Sequence, residues 1–255
     1  MLPKDGRMHF SNLKQFALSP AHYAMSCDDG RDDKKSFKIG RAIHAMILEG
    51  REPVVFSGRR AGNDFESFAE KNSWICKKED ILNKTEADVV FGSYRSFLKN
   101  EFAVDLLKSC PKREVEVQWD REGLPCAGRI DAYGEGTLIE LKSAASAYPR
   151  KFLYEAARLS YHAQTPWYDV ALGTKETVQT NWRDQYIFAV GSEEPYPCIV
   201  YKIDNLRIDQ GNFLAHSWID KYKECEKSGI WLSSEIKQPV IWDGEIITEV
   251  KDEED

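Results

Sequence analysis

The sequence predicts an α/β (α+β) fold in which a mixed, mainly antiparallel sheet is flanked by helices. Before Pro111 the apolar residues recur with the period of amphipathic helices. After Pro111 they alternate with polar residues, as in half-buried strands. Helical periodicity returns from about Pro149, and no internal repeat or low-complexity linker divides the chain. Helices on both sides of a run of strands are typical of a layered α/β or α+β domain.

The first helices are predicted from start and stop signals. A short helix from about Ser11 precedes a second one in SPAHYAM, where Ser19 and Pro20 form an N-cap and first-turn pair. A third helix opens at Ser36, runs to Leu48 and is stopped by Gly50. The N-terminal part of the chain is therefore predicted to be helical.

The remaining elements follow in order. Thr85 can cap a long helical stretch, TEADVVFGSYRSFLKNEFAVDLL. Three strands are then predicted in EVEVQW, CAGRIDAY and TLIELKS, and two more, after helices at 149–172, in QYIFAV and CIVYKI. A last helix spans about 207–227.

Length and composition predict one soluble domain. The 255 residues are 42% apolar and 12% aromatic, enough for a substantial core. We expect a single domain over residues 1–240 and a flexible acidic tail over 241–255. The sequence shows no secretory leader and no run of roughly 18 apolar residues, so we expect an intracellular protein without a membrane partner.

The cysteines indicate a reducing compartment. The six cysteines are scattered and form no CxxC pair or other metal-binding spacing. We therefore expect free thiols, most of them buried.

The charge distribution is uneven. The formal net charge is -7, but residues 31–60 carry eight basic and four acidic side chains, a local balance of +4. The tail 249–255 has five acids and one lysine, a local balance of -4. The basic segment could bind phosphates, although lysines and arginines on a solvated surface are the common alternative.

The stretch GRIDAYGEGTLIELKSA predicts a hairpin that carries charged chemistry. In a strand, Glu140 and Lys142 point the same way while Leu141 points into the opposite core. Antiparallel pairing across a Gly-Glu-Gly turn brings Asp131 close to Glu140. Two neighbouring carboxylates repel unless a cation lies between them, and a hard divalent ion is the natural candidate. The spacing alone slightly favours the alternative, a surface hairpin with a cross-strand ion pair.

Five stretches, in this order, resemble the PD-(D/E)XK nucleases, and within them the RecE-type exonuclease VIII group of phage recombination exonucleases. They are HFSNLKQFALSPAHY, GRAIHAMILEG, RRAGNDFESF, RIDAYGEGTLIELK and YHAQTPWY, and the resemblance as a whole spans roughly residues 9 to 205. Lambda exonuclease and the RecB nuclease domain are related in fold, so the resemblance implies a restriction-endonuclease-like core. Two departures are visible: Ile130 replaces the proline of the family name, and Pro166 interrupts an expected helix, which could start or kink there.

The resemblance also implies an activity. It is Mg²⁺-dependent (or Mn²⁺-dependent) degradation of linear double-stranded DNA from its ends, 5′ to 3′, leaving 3′ single-stranded tails for recombination. A trimeric or tetrameric ring, a single-strand annealing protein as partner and the cytoplasm of a bacterial or phage-infected cell are implied as well. The alternatives are an endonuclease or a RecB- or Cas4-like single-strand nuclease on the same fold, and a catalytically inert DNA-end-binding protein.

Candidate site residues fall into three groups. The resemblance implies metal ligation by His44, Asp131, Glu140 and the Leu141 carbonyl. It implies catalytic roles for Asp131, Glu140, Lys142, Gln164 and Tyr161, and DNA contact for Tyr168. Basic character and position make Arg41, Arg59 and Arg60 candidate DNA-end ligands.

Each of these assignments has a plain structural alternative. A lone histidine in AIHAMIL is usually a hydrogen-bonded core residue, and aromatic residues spaced like Tyr161 and Tyr168 are often only packing. The arginines could be ordinary exposed residues. Glu114 or Glu116, in the strand before the hairpin, could supply a further acidic group, and the sequence does not choose between them.

Overall fold

A mixed sheet forms the centre of the protein. The computed structural model describes residues 1–28, 35–173 and 182–232, so the acidic tail predicted at 241–255 lies outside the described residues. The strands are β1 (Met8–His9), β2 (Lys112–Arg121), β3 (Leu124–Gly134), β4 (Thr137–Ala144), β5 (Asp184–Gly191) and β6 (Cys198–Ile203). The five strands that the sequence predicts are all present, and the two-residue β1 was not predicted.

The pairing of the strands makes the sheet mainly antiparallel. The order is β1-β3-β4-β5-β6, and β2 pairs with the other edge of β3. Pairs β2–β3, β3–β4 and β5–β6 are antiparallel, whereas β1–β3 and β4–β5 are parallel. Parallel neighbours need a long crossover, and the crossover from β4 to β5 is the part of the chain that carries helices at 149–171. The predicted fold class is therefore confirmed.

Helices cover both faces of the sheet. They are α1 (Phe10–Leu13), α2 (Pro20–Asp28), α3 (Lys35–Leu48), α4 (Asn63–Lys71), α5 (Lys84–Lys99), α6 (Glu101–Lys108), α7 (Pro149–Arg158), α8 (Tyr161–Ala171) and α9 (Asn205–Ser228). On one face α3, α5 and α6 form a core with Leu141 and Phe188, both fully buried. On the other face α1, α2, α8 and α9 form a core with Leu138 and Trp167. Burial of this apolar surface is the main driving force that holds the helices on the sheet.

The long helical stretch after residue 83 differs from the prediction in two ways. Asn83, not Thr85, caps α5: its side chain accepts a hydrogen bond from the Glu86 amide, and the Glu86 carboxylate accepts one from the Asn83 amide. This reciprocal capping box satisfies two free amides at once, which a cap at Thr85 would not do. The stretch is also broken at Asn100, which ends α5 and whose side chain caps α6. The predicted single helix is therefore two.

Pro166 lies inside α8 rather than at its start. The helix begins at Tyr161, after Ser160 in the left-handed region (φ 55°), and continues through Pro166. Proline lacks the amide that would bond the His162 carbonyl one turn earlier. At this place Gly211 of α9 packs so closely that an added Cβ would lie 2.0 Å from the His162 oxygen. The sequence allowed a helix start with Thr165 as N-cap and Pro166 in the first turn, and this alternative is wrong. Helix α8 runs through Pro166 and packs closely against α9.

Two further sequence expectations can be checked. All six cysteines are free, and Cys27, Cys110, Cys126 and Cys225 are buried, as expected. None of the described helices combines the length and apolar composition needed to cross a membrane.

Candidate active site

The site lies where β3 and β4 separate. Their pairing runs from the turn, Gly134 with Thr137, to Ala132 with Ile139. The next two residues in register would be Asp131 and Glu140. Here the backbone amide of Leu141 donates instead to Oδ2 of Asp131, at 2.7 Å. The aspartate carboxylate therefore fills the opening between the strands, and its orientation is fixed by the backbone of β4.

Glu140 is the most deeply buried acid of the site. Its side chain is 1% exposed, and its Oε2 accepts hydrogen bonds from Lys142 Nζ (2.8 Å) and Gln164 Nε2 (2.9 Å). Its Oε1 is buried without a hydrogen-bond partner. Burial, together with the charge of Asp131, raises the pKa of Glu140 to about 8. Such a carboxylate is stabilised by an added positive charge.

Lys142 is held as an ammonium ion. Burial lowers its pKa, but the charges of Glu140 and Asp131 outweigh burial, so that the pKa is raised above its usual range. The ammonium also lies 5.2 Å from the ring centroid of Tyr161, within cation–π range. Leu141 between them is fully buried in the opposite core. The alternation predicted for residues 140–142 is thus the one observed.

A second acid joins Asp131 from β2. Ligand atoms of His44, Glu114 and Asp131 lie within 4.8 Å of one another. His44 Nδ1 is 3.8 Å from both Glu114 Oε1 and Asp131 Oδ1. Burial lowers the pKa of His44, but the Asp131 charge and the contact with Glu114 raise it more, so the net shift is upward. Of the two glutamates that the sequence left open, Glu114 is at the site and Glu116 is exposed.

This donor set fits a divalent cation. Glu114 Oε1, like Glu140 Oε1, is a buried oxygen without a hydrogen-bond partner. Buried polar atoms are almost always paired, and a role as a metal ligand is one reason for an exception. One imidazole and carboxylate oxygens suit Mg²⁺ or Mn²⁺. Glu140 lies beside the three-residue cluster rather than within it, because its Oε2 is engaged by Lys142 and Gln164.

Glu114 is held in an unusual backbone conformation. The β2–β3 pairing is interrupted at Glu114. Arg113 pairs with Ala132 and Val115 pairs with Ile130, so that Glu114 lies opposite Asp131 without pairing to it. Glu114 has φ 50°, in the left-handed region that L-residues rarely adopt. Strain of this kind persists where the surroundings enforce it and is concentrated at functional sites. No property of the sequence distinguishes Glu114 from Glu116 in advance.

Helix α8 supplies the other side of the site. Gln164 bonds Glu140, and Tyr161 lies next to Lys142, as described above. Tyr168 is buried, which raises its pKa, and its ring packs over Gly128 of β3, where an added Cβ would lie 2.4 Å from the ring. Only glycine allows the helix to approach the strand this closely. Tyr168 therefore packs beneath the site, whereas Tyr161 and Gln164 touch its charged groups.

The three candidate arginines have different environments. Arg60 makes a two-pronged ion pair with the buried Glu86, at 2.9 and 3.0 Å. Arg41 bonds Asp80 through Nε and Nη2. Arg59 is exposed. Arg60 is thus part of a structural ion pair rather than a flexible clamp.

An open groove leads to the site. It has a volume of about 930 Å³ and is bounded by α3, by the segment 77–80 and by β2 and β3. His44, Glu114 and Ser143 are among its lining residues. Arg41, Arg51, Lys77 and Arg129 line it as well. Two of the three candidate metal ligands, His44 and Glu114, are therefore reached from this groove.

Comparison with known proteins identifies the family. Residues 9–234 match the family model described as "PDDEXK-like domain of unknown function (DUF3799)". The chain belongs to this family. Membership in the PDDEXK-like domains confirms the predicted superfamily and the predicted enzyme class, a nuclease. Asp131, Glu140 and Lys142, for which the sequence predicts the D…E-x-K pattern, lie within the matched residues.

A solved structure shares the fold of this PDDEXK-like domain. A protein from Eubacterium rectale described as a candidate exonuclease superposes with a TM-score of 0.62 at 13% identity, covering 88% of this chain and 83% of its own. A phage-related exonuclease from Haemophilus somnus 129PT gives a TM-score of 0.32 at 10% identity, covering 86% and 96%. No curated protein matches the chain.

Proposed function

We propose that this nuclease is a Mg²⁺- or Mn²⁺-dependent exodeoxyribonuclease that degrades linear double-stranded DNA from its ends. The observation that carries the proposal is the clustering of Asp131 with His44 and Glu114, which line the groove, next to the Glu140–Lys142 ion pair. His44, Glu114 and Asp131 would hold the metal, with Glu140 Oε1 and the Leu141 carbonyl beside it. Such an ion, when bound, polarises a phosphodiester oxygen and acidifies a water molecule.

The protein's own groups position the reaction. Lys142 is an ammonium ion and therefore a hydrogen-bond donor, not a general base. It can orient the attacking water and stabilise the charge that develops on the phosphate. Glu140 holds the ammonium at 2.8 Å, and Gln164 fixes Glu140 from α8. Tyr161 covers the lysine on the side of the crossover helices.

The finer features of the proposal rest on the family resemblance. They are 5′ to 3′ polarity, 3′ single-stranded tails for recombination, a ring of three or four subunits, an annealing partner and a location in the cytoplasm of a bacterial or phage-infected cell. Arg41, Arg59 and Arg60 are the proposed DNA contacts, whereas Tyr168, for which the resemblance also implied DNA contact, is buried and would support the site from below. Because Arg41 and Arg60 are ion-paired, they would bind a phosphate only by exchanging a carboxylate partner.

One experiment tests the activity. End-labelled linear duplex and closed circular duplex are incubated with the protein in Mg²⁺ and, separately, in EDTA. We expect loss of label from linear duplex in Mg²⁺ only, and no change in closed circles. Nicking or linearisation of circles would indicate an endonuclease, and binding without cleavage an inert DNA-end-binding protein. Light scattering at micromolar concentration tests the ring, and a monomer there would contradict it.

A further inference from the structure

The arginines of the groove differ in how their guanidinium groups are engaged. Each is paired with a carboxylate of the same groove: Arg41 with Asp80, Arg51 with Glu49, and Arg129 with Glu114. Arg129 is the one whose partner belongs to the candidate metal site.

Arg129 forms an ion pair with Glu114. Its Nε lies 2.8 Å from Glu114 Oε2, and its side chain is 61% exposed in the groove. The two terminal nitrogens of a guanidinium point away from Nε along its outer edge, where they can bind two oxygens of one phosphate. Arg41 is different, because its Nε and Nη2 both bond Asp80.

The position of Arg129 in the strand sets its distance from the site. It is two residues before Asp131 in β3, so the Cα atoms of Arg129 and Asp131 can be no more than about 7 Å apart. This is comparable to the spacing of consecutive phosphates along a nucleic-acid strand. A phosphate at the metal-ligating side chains would therefore place its neighbour near Arg129.

We propose that Arg129 is a positioning residue that binds the phosphate next to the scissile one, using its terminal nitrogens while Nε keeps hold of Glu114. The inference rests on the proposed nuclease function and adds a specific strand contact to it. The positive charge also offsets the repulsion between the DNA strand and the acids Glu114, Asp131 and Glu140. Because the chain has a net charge of -7, a cation at this point helps to attract a negatively charged DNA strand to the site.

The test is a binding measurement in a background without cleavage. Protein carrying Lys142→Ala is titrated onto a fluorescein-labelled duplex oligonucleotide in Mg²⁺ at several salt concentrations. Adding Arg129→Gln should weaken binding about tenfold and reduce the salt slope by about one phosphate contact. The Arg129→Lys variant keeps the positive charge but cannot bind two phosphate oxygens at once, so its affinity for the duplex should lie between those of the proteins with Arg129 and with Arg129→Gln. Arg95→Gln, an exposed arginine on α5 outside the groove, is the matched control and should change affinity less than about twofold.

A second background separates direct contact from an effect through Glu114. In protein that also carries Glu114→Gln, Arg129→Gln should still cost about tenfold, because the phosphate contact does not need the carboxylate. No further loss there would mean that Arg129 acts only by holding Glu114 and would overturn the proposal. Equal affinities and salt slopes for Arg129→Gln and Arg95→Gln would overturn it too. Cleavage of linear duplex by the unmodified protein is measured in parallel, and its failure would count against the nuclease function instead.

Discussion

The backbone strain at Glu114 can be measured by comparing glycine with alanine. The left-handed conformation costs an L-residue about 1–2 kcal/mol, whereas glycine adopts it freely. Glycine inside a strand otherwise costs about 0.5–1 kcal/mol relative to alanine. At φ 50° the first effect is larger, so Glu114→Gly should be more stable than Glu114→Ala by about 0.5–1 kcal/mol. For a protein of this size the difference corresponds to about 1–4 °C in Tm.

Glu116 supplies the matched control. It lies in the same strand, is exposed and lacks a positive φ. There glycine should be less stable than alanine by about 0.5–1 kcal/mol, so the sign of the difference reverses between the two positions. Thermal unfolding in EDTA, followed by circular dichroism, measures both pairs. Both Glu114 variants should also lose at least about tenfold in Mg²⁺-dependent cleavage, because a candidate ligand is gone. Alanine more stable than glycine at both positions would refute the strain argument.

Three further predictions address the site and its support. Asp131→Ala should lower cleavage by several orders of magnitude while the protein stays folded, and near-normal Mg²⁺-dependent activity would show that the site is misassigned. His44→Ala should raise the Mg²⁺ concentration needed for cleavage with little change in Tm, whereas a large fall in Tm with unchanged metal dependence would indicate a core histidine. Gly211→Ala should lower the free energy of unfolding by about 1–3 kcal/mol or more, because its Cβ would overlap the His162 carbonyl. As a control, substitution of the exposed Ser217 by alanine in the same helix should change the free energy of unfolding by less than about 0.5 kcal/mol. Equal effects of the two substitutions would contradict the close packing of α8 and α9.

The parts of the molecule that local rules govern could be predicted from the sequence. The alternation around Leu141 and the short turn after Gly134 fix which side chains share a face and which residues come into register. Asp131 and Glu140 therefore had to meet at the same end of the hairpin. The hydrophobic period likewise separated the strands from the helices on either side.

The parts of the molecule that depend on tertiary contacts could not be predicted from the sequence. Asn83 and Thr85 are both good helix caps, and Glu86 decides between them because it bonds back to Asn83. The choice of Glu114 over Glu116 depends on a distortion opposite Asp131, which has no sequence signal. Pro166 suggested a helix start, but the neighbouring α9 supplies the close packing that keeps α8 continuous there.

The Arg60–Glu86 ion pair influences how the segment 51–82, which borders the groove, unfolds locally in acid. Glu86 is 1% exposed and receives Lys38 from α3, Arg60 from the segment before α4 and the Asn83 amide. Burial raises the pKa of Glu86, but these partners lower it more, so the folded-state pKa lies below the ordinary value of 4.5. A depressed carboxylate pKa contributes stability that is present above the unfolded-state value and is lost as pH falls through the folded-state value. The segment 51–82 has only a small apolar cluster of its own, centred on Phe65 and Ile81. As the pH falls below 4.5, the segment 51–82 should therefore open locally before the sheet unfolds, and amide hydrogen exchange should detect the opening in this segment first.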